Sequence, residues 1–381
     1  MLLFSSEAGK IKVFYSEVLC VAVNFLEQYV TRYGDQTFAQ RPLNEIDGAI
    51  MALLASMNFG ALPADHELAD LADDQASQQT LLTTTWSLTF FGGLLRAMIT
   101  SVRYRHIRWL HYREKFNTVA AQQFAAVTFA LTPGHYYVAF RGTDASIAGW
   151  KEDFNMIYLS EIPSQRSAVA YFQEVYASHP GRYYLGGHSK GGNLAVYTAL
   201  HAAQTVAQHI TRVFNLDGPG FLPNLHLEKR YRAMRARITK IVPQESIFGL
   251  VLENHHDYAV VASTRRAAVD QHDPFSWRIY GRRFVSCAET GRFFRFVQKT
   301  VTGFLHNMSR IERSIFLASL YGVADAAHAQ TMGELMQLSP HRLRTFYRAA
   351  KAMPDTMKAQ WKTAAGHFWH ALGATPRLPF S

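Results

Sequence analysis

Residues 183–192 read Tyr-Tyr-Leu-Gly-Gly-His-Ser-Lys-Gly-Gly, and this stretch decides how the rest of the chain is interpreted. Within it, Gly187-His188-Ser189-Lys190-Gly191 fits the pattern G-x-S-x-G. An apolar run precedes the pattern, a helical pattern at residues 193–203 follows it, and small residues flank the serine, as a strained turn between a strand and a helix requires. The pattern predicts that Ser189 is a nucleophile above a helix N-terminus, which favours negative charge. The alternative is a tight structural turn in a scaffold that has lost its activity.

Short apolar runs alternate with helical segments on both sides of this motif. Residues 123–131 and 136–140 flank the turn Pro133-Gly134 and predict a β-hairpin. Further strands are expected at residues 183–185, 213–216, 238–242, 258–261 and 277–280, with helices between several of them, such as 168–177 and 194–203. This alternation predicts a mostly parallel sheet covered on both faces. Together with the serine turn, it predicts an α/β class and an α/β-hydrolase fold with an N-terminal hairpin strand.

Helical patterns extend to both ends of the chain. Apolar residues recur at spacings of three and four from Val13 to Leu26, and a second helix is expected after the N-cap Asn44. Segments after residue 300, such as 343–353, are amphipathic and carry about half of the net charge. We expect one compact unit with three regions: a helical N-terminal region at 1–115 as a candidate cap or lid, a hydrolase core at 116–300 and a basic helical region at 301–381. The apolar tract at residues 86–99 is a candidate lid or acyl-binding wall, and a buried helix is the alternative.

Composition narrows the class of protein. Of the 381 residues, 48% are hydrophobic and 18% charged, which excludes a disordered chain. The net charge of +10 indicates a basic surface, with contact to an anionic membrane or an acidic substrate as the next interpretation. Because the basic residues are scattered, with no DNA-reading helix or zinc-ligand pattern, nucleic acid is not an expected partner.

The sequence also favours a cytoplasmic location. The N-terminus lacks the basic region of a signal peptide, and the apolar stretch at 88–99 is too short to span a bilayer. Cys20 and Cys287 do not form a disulfide framework. An export route without a cleavable signal would escape this argument.

Two groups are candidates for an oxyanion hole, the set of donors that acyl transfer needs. One is the backbone N–H of Lys190, the residue after the nucleophile. The other is Thr143, whose N–H and hydroxyl follow the strand that ends in Phe140-Arg141-Gly142. The alternative for Thr143 is a hydrogen-bonding threonine in an ordinary glycine turn. Arg141 and Asp153 are expected to form a structural ion pair.

Five ordered strings resemble the Mbeg1-like family of α/β-hydrolases: Ala139-Phe-Arg-Gly-Thr-Asp144, Gly149-Trp-Lys-Glu-Asp-Phe-Asn-Met156, Gly187-His-Ser-Lys-Gly-Gly-Asn-Leu-Ala195, Asp217-Gly-Pro-Gly-Phe221 and Gln271-His-Asp-Pro-Phe-Ser-Trp277. The resemblance spans residues 40 to 285. More distantly, the chain resembles class 3 lipases, because Phe140-Arg141-Gly142-Thr143 is followed by Trp150 and Asp153 and, about 40 residues later, by the serine turn. The resemblance implies the fold and a serine-hydrolase ancestry, and it does not supply a substrate.

His272 is the predicted catalytic base among seventeen histidines. The usual order on this fold is serine, acid, histidine, and His272 lies in a loop between two late strands, within the fifth string. His255 and His256 remain alternatives, and His256 fits the class 3 lipase arrangement. His188 adjoins the nucleophile and is expected to point elsewhere.

Asp217 is the predicted acid, because it directly follows the strand at 213–216 and opens a Gly-Pro-Gly turn. Glu245 follows the next strand, near where class 3 lipases carry their aspartate, and is the alternative. Asp217 would then cap its own turn.

These residues predict a serine hydrolase, esterase- or lipase-like, that cleaves a carboxylic ester of a small molecule or lipid through Ser189, His272 and Asp217. No cofactor is expected, because the sequence has no P-loop and no G-x-G-x-x-G after a strand. No metal is expected either, since His255-His256-Asp257 is too compact to chelate. The alternative function is a catalytically silent binding or regulatory protein on the same scaffold, which contacts its partner through the basic C-terminal helices.

Overall fold

The computed structural model describes residues 23–253, 255–326, 348, 351 and 354–375. Within these ranges nine strands form one sheet and two more form a separate hairpin. In spatial order the sheet contains β1 (His66–Glu67), β2 (Arg108–Asn117), β3 (Gln122–Thr132), β4 (His135–Phe140), β5 (Arg182–His188), β6 (Ile210–Leu216), β7 (Ile238–Pro243), β8 (Ala259–Val261) and β11 (Ser286–Cys287). The hairpin pairs β9 (Ile279–Tyr280) with β10 (Arg283–Phe284).

The centre of the sheet is parallel, from β4 to β8. Antiparallel pairing adds β1, β2 and β3 at one edge and β11 at the other. The expected hairpin is β3 and β4, joined through Gly134, whose φ of 69° suits a tight turn. Residues 277–280 were expected as a further strand, but their two-residue strand lies outside the sheet and β11 pairs with β8 instead. The chain therefore has an α/β-hydrolase fold with a parallel centre and an N-terminal hairpin strand.

Three helices cover one face of this sheet: α6 (Pro163–Ser178), α7 (Lys190–His201) and α9 (Leu225–Met234). Strands β4 to β7 are adjacent in chain order, so right-handed crossovers place all three helices on the same side. Their apolar side chains form one core cluster with the strands, around Phe172, Tyr183 and Leu194. Shorter helices occupy loops: α5 (Ile147–Asn155), α8 (Gln204–Ala207) and α10 (Ala268–Gln271).

The N-terminal helices cover the opposite face: α1 (Phe25–Tyr33), α2 (Glu45–Leu54), α3 (Gln75–Leu82) and α4 (Leu88–Thr100). Helix α2 starts after the expected N-cap Asn44 and packs on β4, β5 and β6. It is buried from Ile46 to Leu54, because the crossover helices leave this face of the sheet uncovered. It forms a second core layer, in contrast to the cap or lid considered for residues 1–115.

Strand β2 also crosses the expected boundary at residue 115, since its pairing with β3 continues to Asn117. The three-region division stays a prediction.

Three described helices follow the sheet: α11 (Arg292–Asn307), α12 (Arg310–Ala326) and α13 (Asp355–Ala374). Both α11 and α12 pack on α13. Helix α12 contacts the core near α5, where the Tyr321 hydroxyl donates to the carbonyl oxygen of Lys151 at 3.0 Å. None of the described helices is long and apolar enough to cross a membrane. The pattern at residues 13–22 and nearly all of the helix expected at 343–353 lie outside the described residues.

Candidate active site

Ser189 sits in a sharp turn between β5 and α7. Its φ of 57° and ψ of −129° are strained for a residue with a side chain. The turn is tight, because a Cβ on Gly187 would lie 2.2 Å from the carbonyl carbon of Gly191. The backbone N–H of Ser189 donates to the Leu216 carbonyl at the end of β6 (2.9 Å), which fixes the turn to the sheet. These features are those of a nucleophile elbow.

The loop after β4 packs directly on this elbow. A Cβ on Gly142 would lie 2.6 Å from the carbonyl oxygen of His188 and 3.4 Å from Cβ of Ser189. The absence of a side chain at Gly142 therefore lets the loop that carries Thr143 approach the serine. The two segments considered for the oxyanion hole are neighbours.

His272 and Asp217 are paired. Nδ1 of His272 lies 2.7 Å from Oδ2 of Asp217, whose side chain is fully buried. Asp217 follows β6 with a φ of 51°, and its N–H donates to the Ile241 carbonyl at 2.8 Å. Its other oxygen, Oδ1, accepts a hydrogen bond from the hydroxyl of Ser246, which itself accepts from the N–H of Gly249 at 3.1 Å. The carboxylate is held at both oxygens, and one of them holds the imidazole.

The sequence analysis did not identify Ser246 as a site residue. It directly follows Glu245 after β7, and only a carboxylate was considered at that strand end. Its position after a central strand was the available signal, because side chains at the carboxyl ends of neighbouring parallel strands meet at one edge.

His188 contacts His272, contrary to the expectation that it points elsewhere. The two rings lie 4.3 Å apart, and Nε2 of His188 donates to the backbone carbonyl of His272 at 2.8 Å. Burial lowers the pKa of His188 well below its usual value, with the charge of His272 as a smaller cause. A neutral His188 therefore connects the residue before the nucleophile to the loop of the imidazole. Phe248 packs on His272 from another side, at 4.3 Å between ring centroids.

The alternative acid, Glu245, faces a different element. Its carboxylate lies against Gly291, at the start of α11, where a Cβ would come within 1.7 Å of Oε1. Burial raises the pKa of Glu245, and a hydrogen bond from the backbone N–H of Phe294 opposes that shift. The structure thus brings Asp217 to His272 and places Glu245 at the N-terminus of a helix.

The alternative bases have other partners as well. His255 stacks on Tyr231 of α9 with ring centroids 3.7 Å apart, and its Nε2 lies 3.5 Å from Glu228. Asp257, next to the histidine pair, forms an ion pair with Arg235. Among the described residues, no cluster of three or more His, Cys, Asp or Glu side chains could hold a metal ion.

The hydroxyl of Thr143 donates to Oδ2 of Asp153 at 2.5 Å. Burial raises the pKa of Asp153 to about 6, and the charge of Lys190 is the largest opposing influence. Arg141 does not pair with Asp153 as expected: its guanidinium forms an ion pair with Glu114 on β2. Glu114 lies on β2, one strand beyond β3, so the Arg141 side chain reaches across β3 to its partner. The Asp153 carboxylate accepts from Thr143 instead.

Lys190 places its backbone N–H at the start of a helix and its side chain in the interior. It is the first residue of α7, so its N–H has no partner within the helix. Its Nζ lies 2.9 Å from Oε2 of Glu152 and donates to the carbonyl and side-chain oxygens of Gln123 at 2.8 and 2.9 Å. Glu152 also accepts from the N–H and the hydroxyl of Ser164, at 2.8 and 2.7 Å. This network joins β3, α5, α6 and α7 beneath the elbow.

The tract at residues 86–99 is mostly a buried helix. Phe91, Leu94 and Leu95 of α4 belong to the core under the sheet. At its start, however, Trp86 and Leu88 are exposed, and the Trp86 ring lies 5.7 Å from that of His188. Apolar surface therefore borders the site, and a lid function for this tract stays a prediction.

Comparison with known proteins gives one family match. The Mbeg1-like family model matches residues 98–322, a range that includes Ser189, Asp217 and His272. No curated protein matches the chain. Similar solved structures include M37 lipase (16% identity, TM-score 0.33, covering 48% of this chain and 68% of that one). A second is an MDLA mutant form from Penicillium cyclopium (13% identity, TM-score 0.37, covering 57% of this chain and 77% of that one). A third is Lip2 lipase from Yarrowia lipolytica (10% identity, TM-score 0.33, covering 50% of this chain and 76% of that one).

Proposed function

The chain belongs to the Mbeg1-like family, and we propose that it is a serine hydrolase that cleaves a carboxylic ester through an acyl-enzyme. One observation carries the proposal. The imidazole of His272 is held by the buried carboxylate of Asp217 in a loop bonded to the strained elbow of Ser189. A structural turn alone would not need an oriented imidazole beside it.

The proposed reaction assigns a role to each group. The Ser189 hydroxyl attacks the ester carbonyl while Nε2 of His272 takes its proton, and Asp217 on Nδ1 fixes the tautomer and stabilises the imidazolium. The negative oxygen of the tetrahedral intermediate accepts hydrogen bonds from the backbone N–H groups of Lys190 and Thr143, since the Thr143 hydroxyl donates to Asp153. His272 then protonates the leaving alcohol, and in the second half-reaction it activates the water that hydrolyses the acyl-enzyme.

The substrate we propose is an ester with an apolar acyl group, from a small molecule or a lipid. The exposed side chains of Trp86 and Leu88 next to His188 support this choice, because they offer apolar contact area at the edge of the site. A series of p-nitrophenyl esters of increasing acyl length tests it. We expect kcat/KM to rise beyond acetate, and a preference for acetate would contradict the apolar assignment.

A fluorophosphonate probe tests the proposed nucleophile. We expect the probe to label the wild-type chain and not Ser189→Ala, and Ser178→Ala, which changes an exposed serine at the end of α6, to be labelled like wild type. Far-ultraviolet circular dichroism should show that all three are folded. A folded wild-type chain that reacts neither with the probe nor with any ester would favour the silent binding protein instead.

A further inference from the structure

A second concave site lies far from the proposed active site. A cavity of about 640 Å³ is formed at the carboxyl end of α7 by residues of α7, α8, α9 and the turn before β7. Because Ser189 precedes the first residue of the same helix, twelve residues separate the two sites, roughly 18 Å along the helix axis. The cavity therefore lies at the amino ends of β6 and β7. Ser189, Asp217 and His272 lie at the opposite, carboxyl ends of the strands.

The polar groups that line this cavity are suited to an anion. Lys229, Arg230 and Arg237 supply three positive charges, and His226, Gln204 and Gln208 supply further donors. No aspartate or glutamate is among its lining residues. A cavity of this size with one sign of charge raises the local concentration of ligands of the opposite sign.

The two guanidinium groups are held in place by the backbone. Nη1 of Arg230 donates to the carbonyls of Leu200 and Ala202, at 2.5 and 3.2 Å. Nη1 of Arg237 donates to the carbonyls of Ala207 and Ile210, at 2.9 and 3.2 Å. Each bond pattern uses one nitrogen and leaves Nε and Nη2 of a planar fork for a ligand.

The positive charges of the cavity are not matched by neighbouring acids. Among the described residues, Lys229, Arg230 and Arg237 form no ion pair, whereas Glu228 pairs with Arg232 and with His255. A side chain that already forms a salt bridge must give up that contact to bind an anion, which costs binding free energy. Lys229, Arg230 and Arg237 do not have this cost. The arrangement is pre-organised for binding.

We propose that this cavity binds the phosphate group of an organic phosphate, either a soluble phosphate monoester or the headgroup of an anionic phospholipid. Two fixed guanidinium forks and a lysine match the oxygens of a phosphate. The volume is larger than a bare phosphate needs, and apolar side chains such as Leu200 and Met234 can contact the rest of the molecule. The proposal is independent of the hydrolase function.

Calorimetric titration with glycerol 3-phosphate tests the soluble source, and sedimentation with phosphatidylcholine vesicles, with and without phosphatidylglycerol, tests the lipid source. We expect one of these probes to bind, with a dissociation constant below about 1 mM for the soluble one. Lys229→Gln and Arg237→Gln should each weaken binding by about tenfold or more, since each removes a charged donor. Arg232→Gln, on the same helix but outside the cavity, is the matched control and should bind like wild type.

The outcomes separate as follows. Binding of glycerol 3-phosphate assigns the soluble source, and binding of phosphatidylglycerol vesicles alone assigns the headgroup. Failure of both probes overturns the proposal, and so does an equal loss in Lys229→Gln and Arg232→Gln, which would show general surface attraction. Arg237→Gln loses two bonds to the backbone and can unfold, but Lys229 is exposed, so Lys229→Gln keeps the test decisive.

Discussion

Nζ of Lys190 lies 2.9 Å from Oε2 of Glu152, and both side chains are fully buried beneath the nucleophile elbow. Removing two charges from water is costly, so such a pair persists where both partners are satisfied by further hydrogen bonds. Here Gln123 supplies them for the ammonium group and Ser164 for the carboxylate. The residue whose N–H is the proposed oxyanion donor is thus anchored by its own side chain.

The first prediction follows from this pair. We expect Lys190→Met to lower the free energy of unfolding by about 3–5 kcal/mol, because it leaves Glu152 charged, buried and unpaired. The double variant Lys190→Met/Glu152→Gln should recover part of that loss, since it removes both charges. Urea denaturation of the wild type and the single and double variants measures this. A double variant less stable than Lys190→Met would contradict the interpretation of the pair.

The second prediction concerns the base. His272→Ala should lower kcat by several orders of magnitude, on the order of 10⁶-fold for residues that act together in such sites. His255→Ala is the matched control, because His255 stacks on Tyr231 and not on the elbow, and it should keep nearly full activity. Ester hydrolysis by purified variants decides between them. The reverse result would transfer the role to the loop at residues 255–256.

The third prediction compares the two carboxylates. Asp217→Asn keeps the shape of the side chain and should reduce kcat by about 10⁴-fold, because an amide favours the wrong imidazole tautomer. Glu245→Gln should cost little activity, since its carboxylate lies against Gly291 at the start of α11. Steady-state kinetics on both variants is the measurement. A larger loss in Glu245→Gln would restore the class 3 lipase arrangement.

The sequence was sufficient where local patterns carry the information. The glycines around Ser189 and the turn at Pro133-Gly134 predicted the elbow and the hairpin, because backbone geometry at those positions excludes most other residues. His272 and Asp217 were identified from their places after strands, and parallel strands bring such places to one edge of a sheet. Their catalytic roles remain predictions.

Local sequence patterns did not predict which side chains from different helices and strands contact each other. Arg141 was assigned to Asp153, twelve residues ahead, and instead pairs with Glu114 on β2, which lies beyond β3 in the sheet. The contact of His188 with His272 depends on the loop after α10, which no periodicity specifies. Residues 1–115, which include α2, were considered as a candidate cap or lid, because nothing in the sequence of α2 distinguishes packing on a sheet from packing on other helices.

The fourth prediction uses the strain at the nucleophile. Ser189 has a φ of 57°, which glycine adopts at little cost, so Ser189→Gly should be more stable than Ser189→Ala by about 1 kcal/mol. Both variants lack the nucleophile and should be inactive, so their difference in stability reports backbone strain alone. Ala177→Gly, on an exposed position of α6, is the control for glycine itself and should lower stability. Urea denaturation that ranks Ser189→Gly below Ser189→Ala would show that the elbow is not strained.

The last prediction concerns Asp153 and pH. Burial raises the pKa of Asp153 from 3.8 to about 6, so between these values this carboxyl binds more protons in the folded chain than in the unfolded chain. Stability contributed by this group must therefore fall as pH rises from 4 to 6, by at most about 3 kcal/mol. The drop should be smaller than this limit, because 22% of the Asp153 side chain is exposed. Asp153→Asn lacks the titration, so the free energy of unfolding of the wild type minus that of Asp153→Asn should decrease over this range.

Denaturation by urea at pH 4.5, 5.5 and 6.5 measures that difference, and the contributions of the other carboxylates, common to both proteins, cancel. Asp144→Asn is the matched control, since Asp144 is an exposed carboxylate next to Thr143 in the loop before α5, and the difference between wild type and this variant should not decrease in the same way. A difference for Asp153→Asn that is constant or rises with pH would mean that the carboxylate is stabilised in its charged form by Lys190. Thr143 would then be held by a carboxylate that stays ionised throughout this range. The loop after β4 that carries Thr143 would in that case be insensitive to pH near 6.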